Sequence, residues 1–220
     1  MLLVCASMGA NVAVIYYSMF ENGHRIARAI SEGAEQVGAE VRVRQTRETA
    51  SPELIASVPR WAATVEEWGH VPEAELADLE WAHALVLGTP SHYGNMAAQL
   101  KLFVDSTARM WSQGGLNGKV GSGFVTASTT HGGLETTIVS MHNTFCHWGC
   151  VIVPVGYTDP AVFAAGGNPY GTSHDTSWGQ VTVPETVLDA ARYQGRRVAT
   201  IAERLMDLDV SFQPITAKPT

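Results

Sequence analysis

The chain has few charged residues, few cysteines and no long apolar segment, and each shortage excludes a class of protein. Only 16% of its 220 residues are charged, whereas 45% are hydrophobic, a balance that disordered chains do not have. Three cysteines in a chain of this length do not make the dense framework of a small disulfide-stapled secreted domain. The composition therefore indicates one large α/β domain or two small ones.

Basic residues are also scarce. Fourteen Lys and Arg stand against 21 Asp and Glu, giving a net charge of −7, which argues against a nucleic-acid partner. No apolar run approaches the roughly 20 residues that a membrane-spanning helix needs, and the first ten residues lack the basic segment of a signal peptide. Together with an odd number of cysteines, these features favour a cytoplasmic location.

Apolar strand patterns and amphipathic helix patterns alternate along the chain. Strands are predicted over residues 11–17, 41–44, 84–88, 119–127 and 151–155. Helices are predicted over residues 26–37, 96–110, 135–147 and 184–208, and residues 49–79 are predicted to form loop and short helix. This alternation predicts a parallel sheet covered by helices on both faces. Nothing marks a domain boundary, so we expect a single domain over 11–208, with flexible termini at 1–10 and 209–220.

Three polar loops follow the first, third and fourth predicted strands. In an open parallel sheet, ligands bind beyond the carboxyl ends of the strands, and a helix N-terminus beside a serine hydroxyl can hold a phosphate. Each loop alone fits an ordinary turn with a helix cap, but the three together favour a site for a phosphate and a flat, hydrogen-bonding ring. The loops comprise Ser18, Met19, Phe20, Glu21, Asn22 and Gly23; Pro90, Ser91, His92, Tyr93, Gly94 and Asn95; and Ser128, Thr129, Thr130, His131, Gly132 and Gly133.

Several motifs of competing functions are absent from the sequence. It contains no G-x-x-x-x-G-K-[ST] phosphate loop, no G-x-G-x-x-G after the first strand and no G-x-S-x-G nucleophile elbow. His142, Cys146 and Cys150 recur at four-residue intervals and could form a soft metal site. Because buried helix ends also collect cysteines as small apolar residues, we expect no metal.

An ordered set of segments closely resembles the WrbA family of flavodoxin-like NAD(P)H:quinone oxidoreductases. The similarity runs from about Asn11 to Leu205, nearly the whole chain. The segments that carry it are Tyr16-Tyr17-Ser18-Met19, Gly88-Thr89-Pro90 with Gly94-Asn95-Met96, residues 103–111, 149–157 (GCVIVPVGY), Pro169-Tyr170-Gly171 and Ala191-Arg192-Tyr193-Gln194-Gly195. The resemblance implies a flavodoxin-like three-layer sandwich whose five-stranded parallel sheet has the order 2-1-3-4-5, with helices on both faces and FMN at the switch point.

The resemblance also implies roles for particular residues. Residues 18–23 would bind the FMN phosphate. The loop from Pro90 to Asn95 would border the ribityl chain and the isoalloxazine ring. Further flavin contacts would come from Thr126, Ala127, Ser128, Thr129, Thr130, His131, Gly132 and Gly133. His147 matches a family histidine that reaches the flavin from a neighbouring subunit, and Trp111 matches an aromatic wall over the ring, so these two are the predicted catalytic residues.

Four positions depart from the family pattern. Glu21 replaces a glycine of the phosphate loop, and its carboxylate would repel a phosphate if it pointed inward, so we expect weaker FMN binding. Thr130 and His131 replace glycines of the third loop, and would narrow the approach to the flavin or add a proton donor beside it. Phe20 falls where the family has a tyrosine near the nicotinamide.

The function implied by the resemblance is FMN-dependent two-electron reduction of quinones to hydroquinones by ping-pong hydride transfer. NADH or NADPH would be the hydride donor, a small-molecule quinone or related aromatic compound the acceptor, and the protein a homo-oligomer, expected to be a tetramer. Two alternatives stay open. One is a flavodoxin-type FMN electron carrier, which a monomeric state would favour. The other is a pathway-specific flavin reductase acting on one aromatic or quinone intermediate.

Overall fold

The first strand, β1 (Asn11–Tyr16), lies between two hydrophobic cores in the computed structural model, which describes residues 9–208. Residues 1–8 and 209–220, where flexible termini were predicted, lie outside the described residues. Successive side chains of a strand point to opposite faces, so the continuous apolar run of β1 contributes to both cores. Val12, Val14 and Tyr16 enter one core, and Ala13, Ile15 and Tyr17 enter the other.

The strands and helices of residues 9–208 follow one another in the alternating order that the sequence predicts. The strands are β1 (Asn11–Tyr16), β2 (Glu40–Gln45), β3 (Ala84–His92), β4 (Asn95–Met96), β5 (Val120–Ala127), β6 (Val151–Ile152) and β7 (Ser173–Asp175). The helices are α1 (Glu21–Glu35), α2 (Pro52–Ser57), α3 (Pro59–Trp68), α4 (Leu76–Trp81), α5 (Ala98–Ser106), α6 (Ala108–Ser112), α7 (Leu134–Trp148), α8 (Pro160–Ala164) and α9 (Glu185–Leu205). Helices α1 and α9 pack on one face of the sheet, and α4, α5 and α7 on the other.

The sheet confirms the predicted parallel α/β arrangement but has seven strands rather than five. Its main path runs β2-β1-β3-β5-β6, and every pairing along it is parallel. Strand β4 pairs antiparallel with the end of β3, and β7 pairs parallel with the end of β5. These two short strands lack an apolar pattern, so sequence periodicity does not reveal them. The short strand β4 takes the fourth number, so the path has the order 2-1-3-5-6 rather than the predicted 2-1-3-4-5.

Several predicted elements differ in extent from the observed ones. The helix predicted over 96–110 is divided at Thr107 into α5 and α6, and the segment 49–79 contains α2, α3 and the start of α4. Strand β6 ends at Ile152 rather than at residue 155. Val153 still donates a hydrogen bond to the Gly121 carbonyl at 2.8 Å, but the next residue is Pro154, which has no N–H to continue the ladder.

Helices α1 and α9 cross at two glycines. A Cβ added to Gly195 would lie 1.9 Å from the Ile30 carbonyl oxygen, and one added to Gly33 would lie 1.9 Å from the Arg192 carbonyl oxygen. No side chain fits into either space. The two glycines therefore allow the backbones to touch, which brings both helices onto the same face of β1.

This contact predicts the effect of replacing Gly195 with alanine. Gly→Ala in a helix ordinarily stabilises by about 1 kcal/mol, but here the new methyl group should push the helices apart and lower the free energy of unfolding by about 1–3 kcal/mol. Urea denaturation measures the difference. Thr186→Ala, at an exposed site of α9, is the matched control and should stay within about 0.5 kcal/mol of the parent. An unchanged or increased stability of Gly195→Ala would contradict the close crossing.

Candidate functional site

The loops after β1, β3 and β5 enclose a cavity at the carboxyl edge of the sheet. Because these three strands are parallel, their ends meet at the same edge, as the sequence predicts. The cavity therefore brings together residues that are more than a hundred positions apart. From the three predicted loops and the end of β5, it is lined by Ser18, Met19, Phe20, Asn22, Gly23, Pro90, Ser91, His92, Thr126, Ala127 and Ser128.

The first loop presents the N-terminus of α1 to this cavity. The residue before the helix is Phe20, whose side chain makes no capping hydrogen bond, and within the first turn the Glu21 carboxylate accepts a hydrogen bond from its own backbone N–H. The Ser18 hydroxyl donates to the Phe20 carbonyl oxygen at 2.5 Å, and a Cβ on Gly23 would lie 2.3 Å from Ser18 Oγ. This arrangement of N–H groups at a helix start, a hydroxyl and a required glycine fits a phosphate group.

The second loop divides into residues that line the cavity and residues that do not. Ser91 Oγ donates to the Gly132 carbonyl oxygen at 2.6 Å and lies 2.9 Å from Thr137 Oγ1, which donates to it. Burial lowers the pKa of His92 below its usual value.

Tyr93 and Gly94 form the two-residue turn between β3 and β4, both with positive φ, as a type I′ hairpin turn requires. Tyr93 is fully exposed, and Tyr93, Gly94 and Asn95 do not line the cavity.

The outer part of the third loop faces away from the cavity. Thr130 Oγ1 donates to Asp175 Oδ2 at 2.6 Å, and His131 is exposed. Neither residue lines the cavity, so the expectation that they narrow its approach is not supported within one chain. Gly133, the residue before α7, has a φ of 89°, and a Cβ there would lie 2.7 Å from Gly94 Cα. The second and third loops therefore pack directly against each other, while Thr129, Gly132 and Gly133 lie behind the lining residues.

Three lining residues were not found by sequence reasoning: Arg60, Thr176 and Gly179. Arg60 lies in α3, within the weakly periodic segment, and its guanidinium reaches the first turn of α1. Arg60 Nη2 and Nε donate to the two carboxylate oxygens of Glu21 at 2.6 and 3.2 Å. Arg60 also stands over the Phe20 ring, 4.8 Å from its centroid. No local pattern points to Arg60, since its partner is 39 residues away.

The Arg60 contact determines where the Glu21 carboxylate points. Burial by itself would raise the pKa of this carboxyl, but hydrogen bonds from Arg60 and the charge of its guanidinium hold the pKa below its usual value. Glu21 is therefore ionised at neutral pH, and its charge is paired. The sequence predicts that the Glu21 carboxylate repels a phosphate. That prediction applies to an unpaired carboxylate, whereas this one is paired with Arg60.

Behind the first loop, His24 fixes α1 against the sheet. Its Nδ1 lies 2.8 Å from the Tyr16 hydroxyl, and its ring stacks on Trp68 with centroids 4.8 Å apart. His24 is 1% exposed, and burial lowers its pKa to about 4. A neutral imidazole therefore joins β1, α1 and α3 directly behind the loop that carries Ser18.

Trp111 and His147 lie away from the cavity within one chain. Trp111 Nε1 donates to the His147 carbonyl oxygen at 2.6 Å, so the two predicted catalytic residues are neighbours. His147 lies in the last turn of α7, a helix of 15 residues that starts beside the cavity and spans about 20 Å. Both residues therefore lie towards the amino ends of β5 and β6 and do not line this cavity.

Two further expectations concern metals and membranes. Over residues 9–208, no group of three or more His, Cys, Asp or Glu side chains is placed to hold a metal ion. Cys150 Sγ donates to the Leu116 carbonyl oxygen at 3.4 Å, whereas Cys146 is exposed. Within the same residues, no helix has the length and apolarity that crossing a membrane requires.

The fold and the cavity define a flavodoxin-like α/β protein. The structure is similar to that of a flavodoxin, WrbA-like protein from Agrobacterium tumefaciens, with a TM-score of 0.62 and 25% identity, covering 89% of this chain and 98% of that one. It also shares the fold of a flavodoxin from the domain Archaea, with a TM-score of 0.57 and 16% identity, covering 88% of this chain and 99% of that one.

Sequence comparison identifies the family. The family described as NADPH-dependent FMN reductase matches residues 10–160. The chain is 38% identical over 195 residues to an NAD(P)H dehydrogenase (quinone) from Deinococcus radiodurans, covering 89% of this chain and 96% of that protein. It is 41% identical over 201 residues to a protein of the same name from Geotalea daltonii, covering 89% and 98%. The chain belongs to the NADPH-dependent FMN reductase family.

The burial of His24 predicts a pH dependence of stability. The unfolded chain binds a proton at this histidine near pH 6.5, whereas the folded chain binds it only near pH 4. Stability should therefore fall as the pH is lowered from about 7 to 4, and His24 should account for about 3 kcal/mol of the loss. His24→Asn keeps a polar atom for the Tyr16 hydroxyl and removes the titration. Urea denaturation at several pH values should show a shallower decline for the variant, and parallel curves for the two proteins would refute the assignment.

Proposed function

We propose that this protein is an FMN-dependent NAD(P)H:quinone oxidoreductase of the WrbA type. The observation that carries the proposal is the convergence of three loops on one cavity beside the N-terminus of α1. The identity of 38–41% to proteins named NAD(P)H dehydrogenase (quinone) over nearly their whole length supports it. The proposal treats residues 11–208 as one domain, and the cysteine content supports a cytoplasmic location.

The first loop is the proposed phosphate site of FMN. Ser18 supplies a hydroxyl, and the uncapped N–H groups at the start of α1, including those of Asn22 and Gly23, supply donors at the positive end of a helix dipole. The remainder of the cavity offers both apolar and hydrogen-bonding surface. Met19, Phe20, Pro90 and Ala127 contribute apolar walls, and Ser91, His92, Thr126 and Ser128 contribute polar groups.

The protein's own part in the reaction is to bind, orient and shield. Bound FMN would supply the capacity to accept a hydride from a nicotinamide and to pass two electrons to a quinone. Partial desolvation lowers the pKa of His92 below its usual value, so at pH 7 it is neutral and offers one donor and one acceptor. The hydrogen bonds of Ser91 to the third loop hold this wall in place. NADH or NADPH and a small-molecule quinone or related aromatic acceptor would then occupy the open side in turn, which gives ping-pong kinetics.

We also propose that the protein is a homo-oligomer, and specifically a tetramer. Trp111 and His147 are neighbours at the far end of α7 from the cavity, and both are partly exposed to solvent. Across an interface between copies, Trp111 could present a flat apolar surface and His147 a hydrogen-bonding imidazole to another copy's cavity. Their proposed catalytic roles therefore depend on assembly.

Purified protein should be yellow and should oxidise NADH or NADPH rapidly only when a quinone is added. Initial rates at several fixed quinone concentrations should give parallel double-reciprocal lines, since donor and acceptor use the site in turn. A protein that fails to take up added FMN would refute the proposal. Two other outcomes favour the alternatives: reduction only by a partner protein indicates an electron carrier, and turnover of a single aromatic compound indicates a pathway-specific reductase.

The assembly can be tested with His147. If a second copy supplies this residue, sedimentation should show an oligomer, and His147→Ala should lower kcat by about 10- to 100-fold without loss of bound FMN. Cys146→Ser, at the exposed neighbouring position of α7, is the matched control and should keep the parent rate. A fully active monomer would contradict both the oligomer and the role of His147.

A further inference from the structure

Arg60 connects three separate segments around the cavity. Its Nη2 and Nε atoms bind Glu21 at the start of α1, and its Nη1 donates to the Gly179 carbonyl oxygen at 2.5 Å. The face of the guanidinium covers the Phe20 ring. The planar guanidinium thus uses donors on all three nitrogens as well as its face, the geometry for which arginine is suited and lysine is not. The three segments it joins are α3, the first loop and the loop between β7 and α9.

The position of Glu21 makes this contact electrostatically important. Glu21 is the first residue of α1, and the next two residues, Asn22 and Gly23, line the cavity. A carboxylate here is favourable to the helix dipole but competes with any second anion at the same N-terminus. The side chains of Arg60 and Glu21 are 35% and 21% exposed, so solvent screens their charges only in part. Without Arg60, the carboxylate would stand beside the proposed phosphate site as an uncompensated negative charge.

We propose that Arg60 is a positioning residue that keeps this end of the cavity able to bind the phosphate of FMN in the presence of Glu21. It does so by pairing the carboxylate and holding it away from the N–H groups of Asn22 and Gly23. Arg60 acts through Glu21, so its effect should appear only with ligands that carry a phosphate. This inference rests on the proposed function, which supplies FMN as the ligand.

Among the charged side chains near Glu21, Arg60 is its main partner. Arg25 also lowers the pKa of the Glu21 carboxyl, but its effect is smaller than that of Arg60. Arg25 is exposed and is not among the residues that line the cavity. Among the described residues that line the cavity, Arg60 is the only arginine and there is no lysine. The charge at the phosphate end therefore depends mainly on the Glu21–Arg60 pair.

The decisive experiment compares FMN with riboflavin, which has the same ring and ribityl chain but no phosphate. Each ligand is titrated into flavin-free protein, and the quenching of flavin fluorescence gives Kd. Arg60→Ala should weaken FMN binding by about tenfold or more, an effect expected of one uncompensated charge nearby, and should leave riboflavin binding within about threefold of the parent. Thermal unfolding of each flavin-free variant monitors the fold.

Glu21→Gln supplies the second half of a double-mutant cycle. It removes the negative charge that Arg60 is proposed to compensate, so the double variant Arg60→Ala/Glu21→Gln should bind FMN nearly as well as Glu21→Gln alone. Arg192→Gln removes an arginine of α9 that pairs with Glu32 of α1 and with Glu185 and Asp189 of α9; it lies outside the cavity and is the control for loss of an ion pair. It should bind FMN like the parent.

Three results would overturn the inference. Equal weakening of FMN and riboflavin by Arg60→Ala would show that Arg60 supports the cavity as a whole. If Arg60→Ala weakens FMN binding by the same factor in the parent and in the Glu21→Gln variant, Arg60 does not act through the carboxylate. Unchanged FMN binding by Arg60→Ala would show that the pair is irrelevant to the phosphate. By contrast, a parent protein that binds neither flavin would refute the proposed function itself, which makes the two failures distinguishable.

Discussion

Burial of β1 and β3 on both faces is the constraint on which the rest of the structure depends. Their apolar side chains alternate between two cores, so the sheet is stable only with helices on both sides. Each connection between parallel neighbours must then cross the sheet and return to the same end. From β1 the chain moves outward to β2 and then back across to β3, so the connections diverge there and leave a crevice at the carboxyl edge. The cavity lies at this position as a consequence of the topology.

Charge at the cavity is set by contacts that link distant segments. The uncapped start of α1 favours an anion, yet the sequence places a glutamate at its first residue. Arg60 resolves this conflict by pairing with Glu21, and through Gly179 it also anchors the loop that precedes α9. Behind it, the neutral His24 stacks on Trp68 of the same helix, α3. The segment between β2 and β3 is thus part of the cavity's support.

Much of the fold could be predicted from the sequence because strong local patterns encode it. The run from Asn11 to Tyr16 and the alternation of strands with amphipathic helices indicate a parallel sheet, and the polar residues that follow each strand indicate its ligand edge. Short elements were missed because β4 and β7 have no apolar pattern of their own. Of the candidate site, the lining residues Ser18, Ser91 and Ser128 follow from their positions after the predicted strands, whereas Thr126 followed only from the family resemblance. Arg60 could not be found in this way, because its role arises from a contact with a residue 39 positions away.

The central claim is that the loops after β1, β3 and β5 bind FMN with its phosphate at the start of α1. A crystal structure of the protein grown with FMN tests this most directly. We expect the phosphate within hydrogen-bond distance of Ser18 and of the N–H groups of α1, with the ring beside Ser91 and His92 and the Glu21–Arg60 pair intact. A flavin bound elsewhere, or one whose phosphate points away from α1, would contradict it.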